Sequence, residues 1–230
     1  MTRLSRIALG LAAAAMGLSM MGASLPPSWD GMVNVPSSKL TAVYLLPGAD
    51  FRPYAKVMID PVQVAFQKNW IRDYNQTTSF DQQLTPQYAD MILKKASNGF
   101  DKILHDAYVA AGYPVVTAPG PDVIRVSPGV GDLTVTAPDI PAAFASMSWA
   151  VDAGGATVVL EARDSMSHAL LGRAVDSRRA GDNSAARRDS ITNSADFERL
   201  FRDWAKVAVD GLAELKARSP INVAGETAKK

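Results

Sequence analysis

The sequence predicts an α+β fold, a mostly antiparallel sheet with two long helices packed on one face. Three observations carry this reading. Two stretches repeat apolar residues every three or four positions, as a helix with one buried stripe requires. Short β-branched runs with alternating character lie before and between them. One pair of those runs flanks five polar or turn-forming residues, the pattern of a β-hairpin. With no internal repeat or low-complexity block, residues 24–218 read as one domain, preceded by a signal peptide over 1–23 and followed by a loose tail over 219–230.

The elements follow in order. A short strand around Leu40 to Leu45 ends at the turn Pro47-Gly48. Tyr54 to Phe66 alternates as a strand until Pro61, which cannot donate to a ladder, marks an edge, bulge or break. The polar run Arg72 to Gln83 reads as a connector. Thr85-Pro86 opens a helix, Pro86 to Ala111, with threonine as N-cap and proline where its missing N–H is harmless. Met91, Ile92, Phe100, Leu104 and Tyr108 belong to its apolar stripe, and Gly112 and Pro114 stop it.

Tyr113 to Ala118 then reads as a strand and Val123 to Thr136 as a longer one, bent or bulged at Pro128-Gly129 and Gly131. Pro138 to Ala153 is irregular, with a strand near Phe144 to Val151. Ala156 to Arg163 and Ala169 to Val175 flank the turn Asp164 to His168. A final helix, Ala195 to Ala217, is capped by Asn193-Ser194 and carries Phe197, Leu200, Phe201 and Trp204 on its stripe until Ser219-Pro220 breaks it.

The N-terminus specifies an address. Arg3 and Arg6 precede an uncharged apolar run from Ile7 to Met21, followed by small residues and Pro26-Pro27, a secretory signal pattern. That run is 15 residues long, short of the roughly 20 that span a bilayer, and no later stretch is a second candidate. The mature chain is therefore expected in the periplasm or outside the cell, at most peripheral to the outer membrane. The chain contains no cysteine, which removes thiol nucleophiles, zinc-thiolate sites and disulfides. It also removes thioether lipidation: Met20-Met21-Gly22-Ala23 resembles a lipoprotein cleavage box with Ala23 where the modified cysteine would stand.

Charge excludes one class of partner. Of 24 basic and 23 acidic residues, Arg3 and Arg6 leave with the signal, so the mature chain carries 22 against 23, a net charge near −1. Nothing in that balance attracts nucleic acid. The local excess at Arg173, Arg178, Arg179, Arg187 and Arg188 is interleaved with Asp176, Asp182 and Asp189, which reads as a solvated strand end and loop, or else as a contact for an anionic envelope surface.

Lys39-Leu40 to Leu45 with Pro47 to Phe51, Val57 to Val62, Gly112 to Val116, and the hairpin Glu161 to Gly172 with Asp176 to Arg178 together resemble a family of bacterial lipoproteins, the domain of unknown function numbered 3313. The resemblance covers roughly Trp29 to Leu215 and implies a compartment and a fold more than an activity. The missing cysteine departs from the lipoprotein label. The hairpin also resembles those of TolB-amino-terminal-like and curli-secretion-lipoprotein-like envelope domains, which are assembly and binding modules; this second likeness is one of fold alone.

Motifs for catalysis are wanting. The chain has no G-x-S-x-G elbow, H-E-x-x-H pair, phosphate loop or G-x-G-x-x-G fingerprint, and the sequence implies no cofactor or metal. His105 on the first long helix and His168 in the hairpin turn read as solvated. Four carboxylates, Asp60, Glu161, Asp164 and Asp176, fall near strand ends, and their convergence would make a carboxylate-dependent hydrolase of an envelope glycan or ester. Acidic hairpin residues more often serve their own turn. Trp29, Trp70 and Trp149 lie outside both helices as satellite-core anchors or as a binding patch. These tryptophans, with Arg178 and Arg179, are the candidate binding residues of a non-catalytic envelope module whose partner is an envelope protein or an anionic surface.

Overall fold

Proline and glycine set where the strands begin and stop. The structure, a computed structural model, describes residues 25–136, 148–150, 153–181, 186–188 and 190–223. The strands are β1 (Ser28–Trp29), β2 (Met32–Val35), β3 (Ala42–Leu45), β4 (Lys56–Ile59), β5 (Gln63–Phe66), β6 (Val123–Val135), β7 (Ser148–Ala150), β8 (Gly154–Asp164), β9 (Leu170–Ala180) and β10 (Ala186–Arg188). The helices are α1 (Trp70–Thr77), α2 (Pro86–Ala110) and α3 (Ser190–Arg218). The main sheet runs β1-β2-β3-β9-β8-β6-β4, with β5 also on β6 and β7 paired separately with β10.

The fold is α+β as expected, with the β8–β9 hairpin turning at the predicted residues. The sheet is antiparallel except where β4 and β5 run parallel to β6. Pro61 separates β4 from β5. Opposite that gap lies Pro128 of β6, between the stretches that pair with β4 and β5, so the proline interrupts no ladder on that side. β6 therefore runs through Pro128-Gly129 uninterrupted and bulges only between Gly131 and Thr134. At the N-terminus of α2, the Thr85 hydroxyl accepts from the Tyr88 N–H at 3.3 Å, the predicted cap.

Four local expectations change. Residues 70–77 form helix α1 where the sequence reads largely as connector; Trp70 stacks on Phe66, with centroids 4.8 Å apart, and the Asn75 amide bonds both backbone groups of Leu84. Tertiary contacts thus stabilise a segment whose composition is polar. Tyr113 to Ala118 forms no strand, only a parallel bridge from Val115 to Val57, since Pro114 and Pro119 remove ladder donors. α3 begins at Ser190, so Asn193 is a buried residue inside the helix and not its cap. A local capping preference yields there to packing. Ile221 is not part of a loose tail: it is buried, donates to the Ala49 carbonyl and accepts from the Gly48 N–H, at 2.8 and 2.9 Å. The signal segment, most of Pro138 to Ala153 and the tail beyond Val223 lie outside the described residues.

Both long helices cover the same sheet face. Their aromatic seam joins Phe100 of α2 to Phe201 of α3, stacked 4.9 Å apart, with Trp204 packed against both and almost wholly buried. Val57, Ile124, Val126, Val158 and Leu160 are the sheet side of this core. A smaller cluster on the reverse face contains Met32, Ala42, Tyr44 and Val175. Trp204→Ala should cost about 3–5 kcal/mol, because it leaves a large void in the seam. Equilibrium urea unfolding measures this, and an unchanged midpoint would overturn the packed-stripe assignment.

Candidate functional site

Strand alternation sorts the candidate residues onto two faces. In β8, Ala156, Val158 and Leu160 belong to the core beneath the helices, while Glu161 and its period-two neighbours point the other way. Register then aligns a row across the reverse face. Asn34 lies opposite Tyr44, Tyr44 opposite Arg173, Arg173 opposite Glu161, and Glu161 opposite Ser127. The Ser127 hydroxyl donates to Asp60 at 2.5 Å, which extends the row past β6.

Charges on this row are paired. Arg173, 4% exposed, donates through Nε and Nη2 to Glu161 Oε1 at 2.9 and 2.6 Å and through Nη2 to Asp30 at 2.9 Å. The Trp29 ring covers the same guanidinium, 3.9 Å from its carbon, and meets Tyr44 edge-on. Arg163 binds the other Glu161 oxygen at 2.7 Å, and Arg125 binds Asp60 at 2.8 Å. Arg125 and Arg163 are direct cross-strand neighbours, an arrangement that repels unless each cation has its own anion. Asp60 and Glu161 supply those anions, and Asp60 raises the Arg125 pKa by hydrogen bonding. His168 accepts from Arg163 Nη1 through its carbonyl at 3.2 Å, and its Nδ1 lies 3.5 Å from Arg125 Nη1.

Asp60 and Glu161 therefore share one face and one strip, separated by two strand spacings, about 10 Å. Asp164 and Asp176 do not join them. Asp164 accepts from the backbone and hydroxyl of Ser167, the Met166 N–H and the Tyr54 hydroxyl. The Ser167 backbone bond leads the effects that hold its pKa below the ordinary carboxylate value. A carboxyl tuned this way suits the turn and not a general acid, which needs the opposite shift. Tyr54 is displaced upward, by burial first and then by Asp164. Asp176 is buried on the helix side, accepting from Trp204 Nε1 at 2.9 Å and from the Thr41 N–H and hydroxyl at 3.1 and 2.9 Å, with Arg178 Nε at 2.6 Å.

Of the aromatic and basic candidates, Trp29 joins the strip and Trp70 does not, since it stacks between Phe66 and Tyr74. Trp149 lies on β7, with its side chain outside the described residues. Arg178 bridges Asp176 and the Lys39 carbonyl, and Arg179 is exposed near the end of β9. His105 is exposed beside Asp106, 3.8 Å away. Sequence reasoning does not single out Asp30, Arg125 and Arg163 as binding residues. Their signal is only a period-two placement, legible once the register is known. Among the described residues no group of three or more histidine, aspartate or glutamate side chains could hold a metal.

A carboxylate whose folded pKa is depressed contributes stability in full above its unfolded value, about 3.9, and loses it as pH falls through the folded value. Asp164→Ala should lower the thermal midpoint at neutral pH, and the gap to the unaltered protein should narrow below about pH 4. Thermal scans across pH check this, and a gap constant into strong acid would refute the ionic role.

The fold has distant solved likenesses. A point variant of PelC from Paraburkholderia phytofirmans, solved as a dodecamer, matches with 14% identity and TM-score 0.40, covering 74% of this chain and 97% of that one. A protein of Xanthomonas campestris from the family DUF330 matches with 11% identity and TM-score 0.41, covering 80% and 94%. No curated protein matches the sequence. Residues 28–208 match the family described as "Protein of unknown function (DUF3313)", and the chain belongs to that family.

Proposed function

We propose that this protein is an extracytoplasmic, non-catalytic module that binds a partner protein of the cell envelope through the reverse face of its sheet. The paired strip on that face carries the reading. Trp29, half-buried, is of a residue type enriched at protein interfaces, and its ring is fixed over the buried Arg173, which Glu161 and Asp30 hold. Arg125 and Arg163 are partly exposed beside them, at 33% and 32% of their side-chain surface. Fixed charges of both signs favour orientation and selectivity of a partner. Proton transfer, by contrast, would need a carboxyl freed from its arginine.

Location rests on other support. The apolar N-terminal run with its small-residue exit reads as a secretory signal, and no described helix is long and apolar enough to cross a membrane. The mature protein is expected in the periplasmic fraction after osmotic shock. Recovery only from detergent-extracted membranes would contradict a soluble periplasmic form.

A photoreactive residue at Arg163 should give a specific adduct in envelope fractions, and one at Lys94, exposed on α2, should not. Arg125→Glu should suppress the Arg163 adduct by placing an anion beside Asp60. Equal labelling from both positions, or none, would overturn the reading. Turnover of a glycan or ester by the purified protein would replace it with a hydrolase.

A further inference from the structure

A half-open cavity of about 170 Å³ lies under α3 on the helix side of the sheet, and its lining includes Glu161 and Arg173, whose side chains turn to the other face. Its origin is a meeting of small residues. Ala174 of β9 lines the cavity with Ala208 and Gly211 of α3, where larger side chains would have closed the gap; at Gly172 the space is already taken, since a Cβ there would meet Leu45 at 3.1 Å. A Cβ added at Gly211 would meet nothing within 4 Å. Val43 and Leu212 contribute to the apolar wall. Across the rim, Lys39 Nζ and Glu214 Oε1 form an exposed pair at 2.5 Å, the kind of contact that opens at little cost.

Tyr108 of α2 also lines the cavity, whose other polar lining residues include Ser37, Lys39, Glu214 and Arg218. It is 2% exposed, and its hydroxyl has no hydrogen-bond partner among the described residues. A phenol whose pKa burial has pushed upward stays a neutral donor. Volume bounds what can enter: an engineered apolar cavity of about 150 Å³ admits benzene.

We propose that this cavity is a binding site for a small, largely apolar molecule of ring size that bears one hydrogen-bond acceptor, such as a carbonyl, which the Tyr108 hydroxyl engages. The apolar body fills the space that Gly211 and Ala174 leave, and the acceptor turns toward α2. Glu161 and Arg173 of the charged strip also line the cavity; the variants that test it, at Tyr108 and Gly211, leave the strip unaltered.

Acetophenone and ethylbenzene are matched probes, alike in shape and differing in the acceptor. Titration of the purified mature protein by calorimetry or ligand-observed NMR should find acetophenone bound about five-fold more tightly, the effect of one ordinary hydrogen bond. Tyr108→Phe should equalise the two affinities without lowering the thermal midpoint, because it removes an unpartnered hydroxyl. Gly211→Leu should abolish both by filling the cavity. The proposal fails if neither probe binds, if ethylbenzene binds as tightly as acetophenone to the unaltered protein, or if binding survives Gly211→Leu. The Tyr108→Phe comparison decides the matter whatever Gly211→Leu does to stability.

Discussion

The buried carboxylate of Asp176 holds the two layers of the molecule together. A charge taken out of water is costly unless every lone pair finds a donor. Asp176 has donors from three directions: the Trp204 indole in α3, the Thr41 backbone and hydroxyl just before β3, and the Arg178 guanidinium on its own strand. The indole bond fixes the rotation of α3 about its axis. The stack of Phe201 on Phe100 then follows, and with it the seating of α2. Arg178 in turn donates to the Lys39 carbonyl, so the loop at the cavity rim is tied to the same centre.

With α3 rotated in this way, its small-residue side lies over β9. Leu212 packs into the core, while Ala208 and Gly211 meet Ala174 across a gap. Trp204 and Gly211 are two turns apart on one helix, one sealing the core and the other leaving room. The C-terminal end is held as well: the Ser219 hydroxyl accepts from the Phe51 N–H at 2.8 Å, and Ile221 exchanges backbone bonds with Gly48 and Ala49. A helix pinned at its middle by Trp204 and just past its C-terminal end by Ser219 and Ile221 cannot settle onto the sheet to close the void between.

The reverse face obeys a different constraint. Among the described residues no helix covers it, yet it holds Arg125, Arg163 and Arg173 within neighbouring strands. Three cations on adjacent strands would repel. Glu161 serves two of them with its two oxygens, Asp60 serves the third, and Asp30 adds a second anion to Arg173. Trp29 closes over the most buried guanidinium, replacing lost water with the face of an aromatic ring. The strip is consequently balanced in charge, three guanidinium groups against three carboxylates.

The sequence by itself determined the elements with strong periodicity: α2 with its Thr85-Pro86 start, most of α3, the β8–β9 hairpin and its turn, and the break at Pro61. These depend on spacing and local turn chemistry, which a linear chain displays. Only the tertiary structure decided the rest. Residues 70–77 became helical through the stacking of Trp70 and the Asn75 bonds to Leu84, partners that a local reading does not see. Asn193 carries the preference of a cap but is buried within α3. Four similar acidic residues received different environments because register and strand parity divided them, Asp60 and Glu161 to one face, Asp176 to the other and Asp164 to its turn. A shift of one residue in pairing would exchange those faces, and pairing across distant strands is a property of the folded sheet alone.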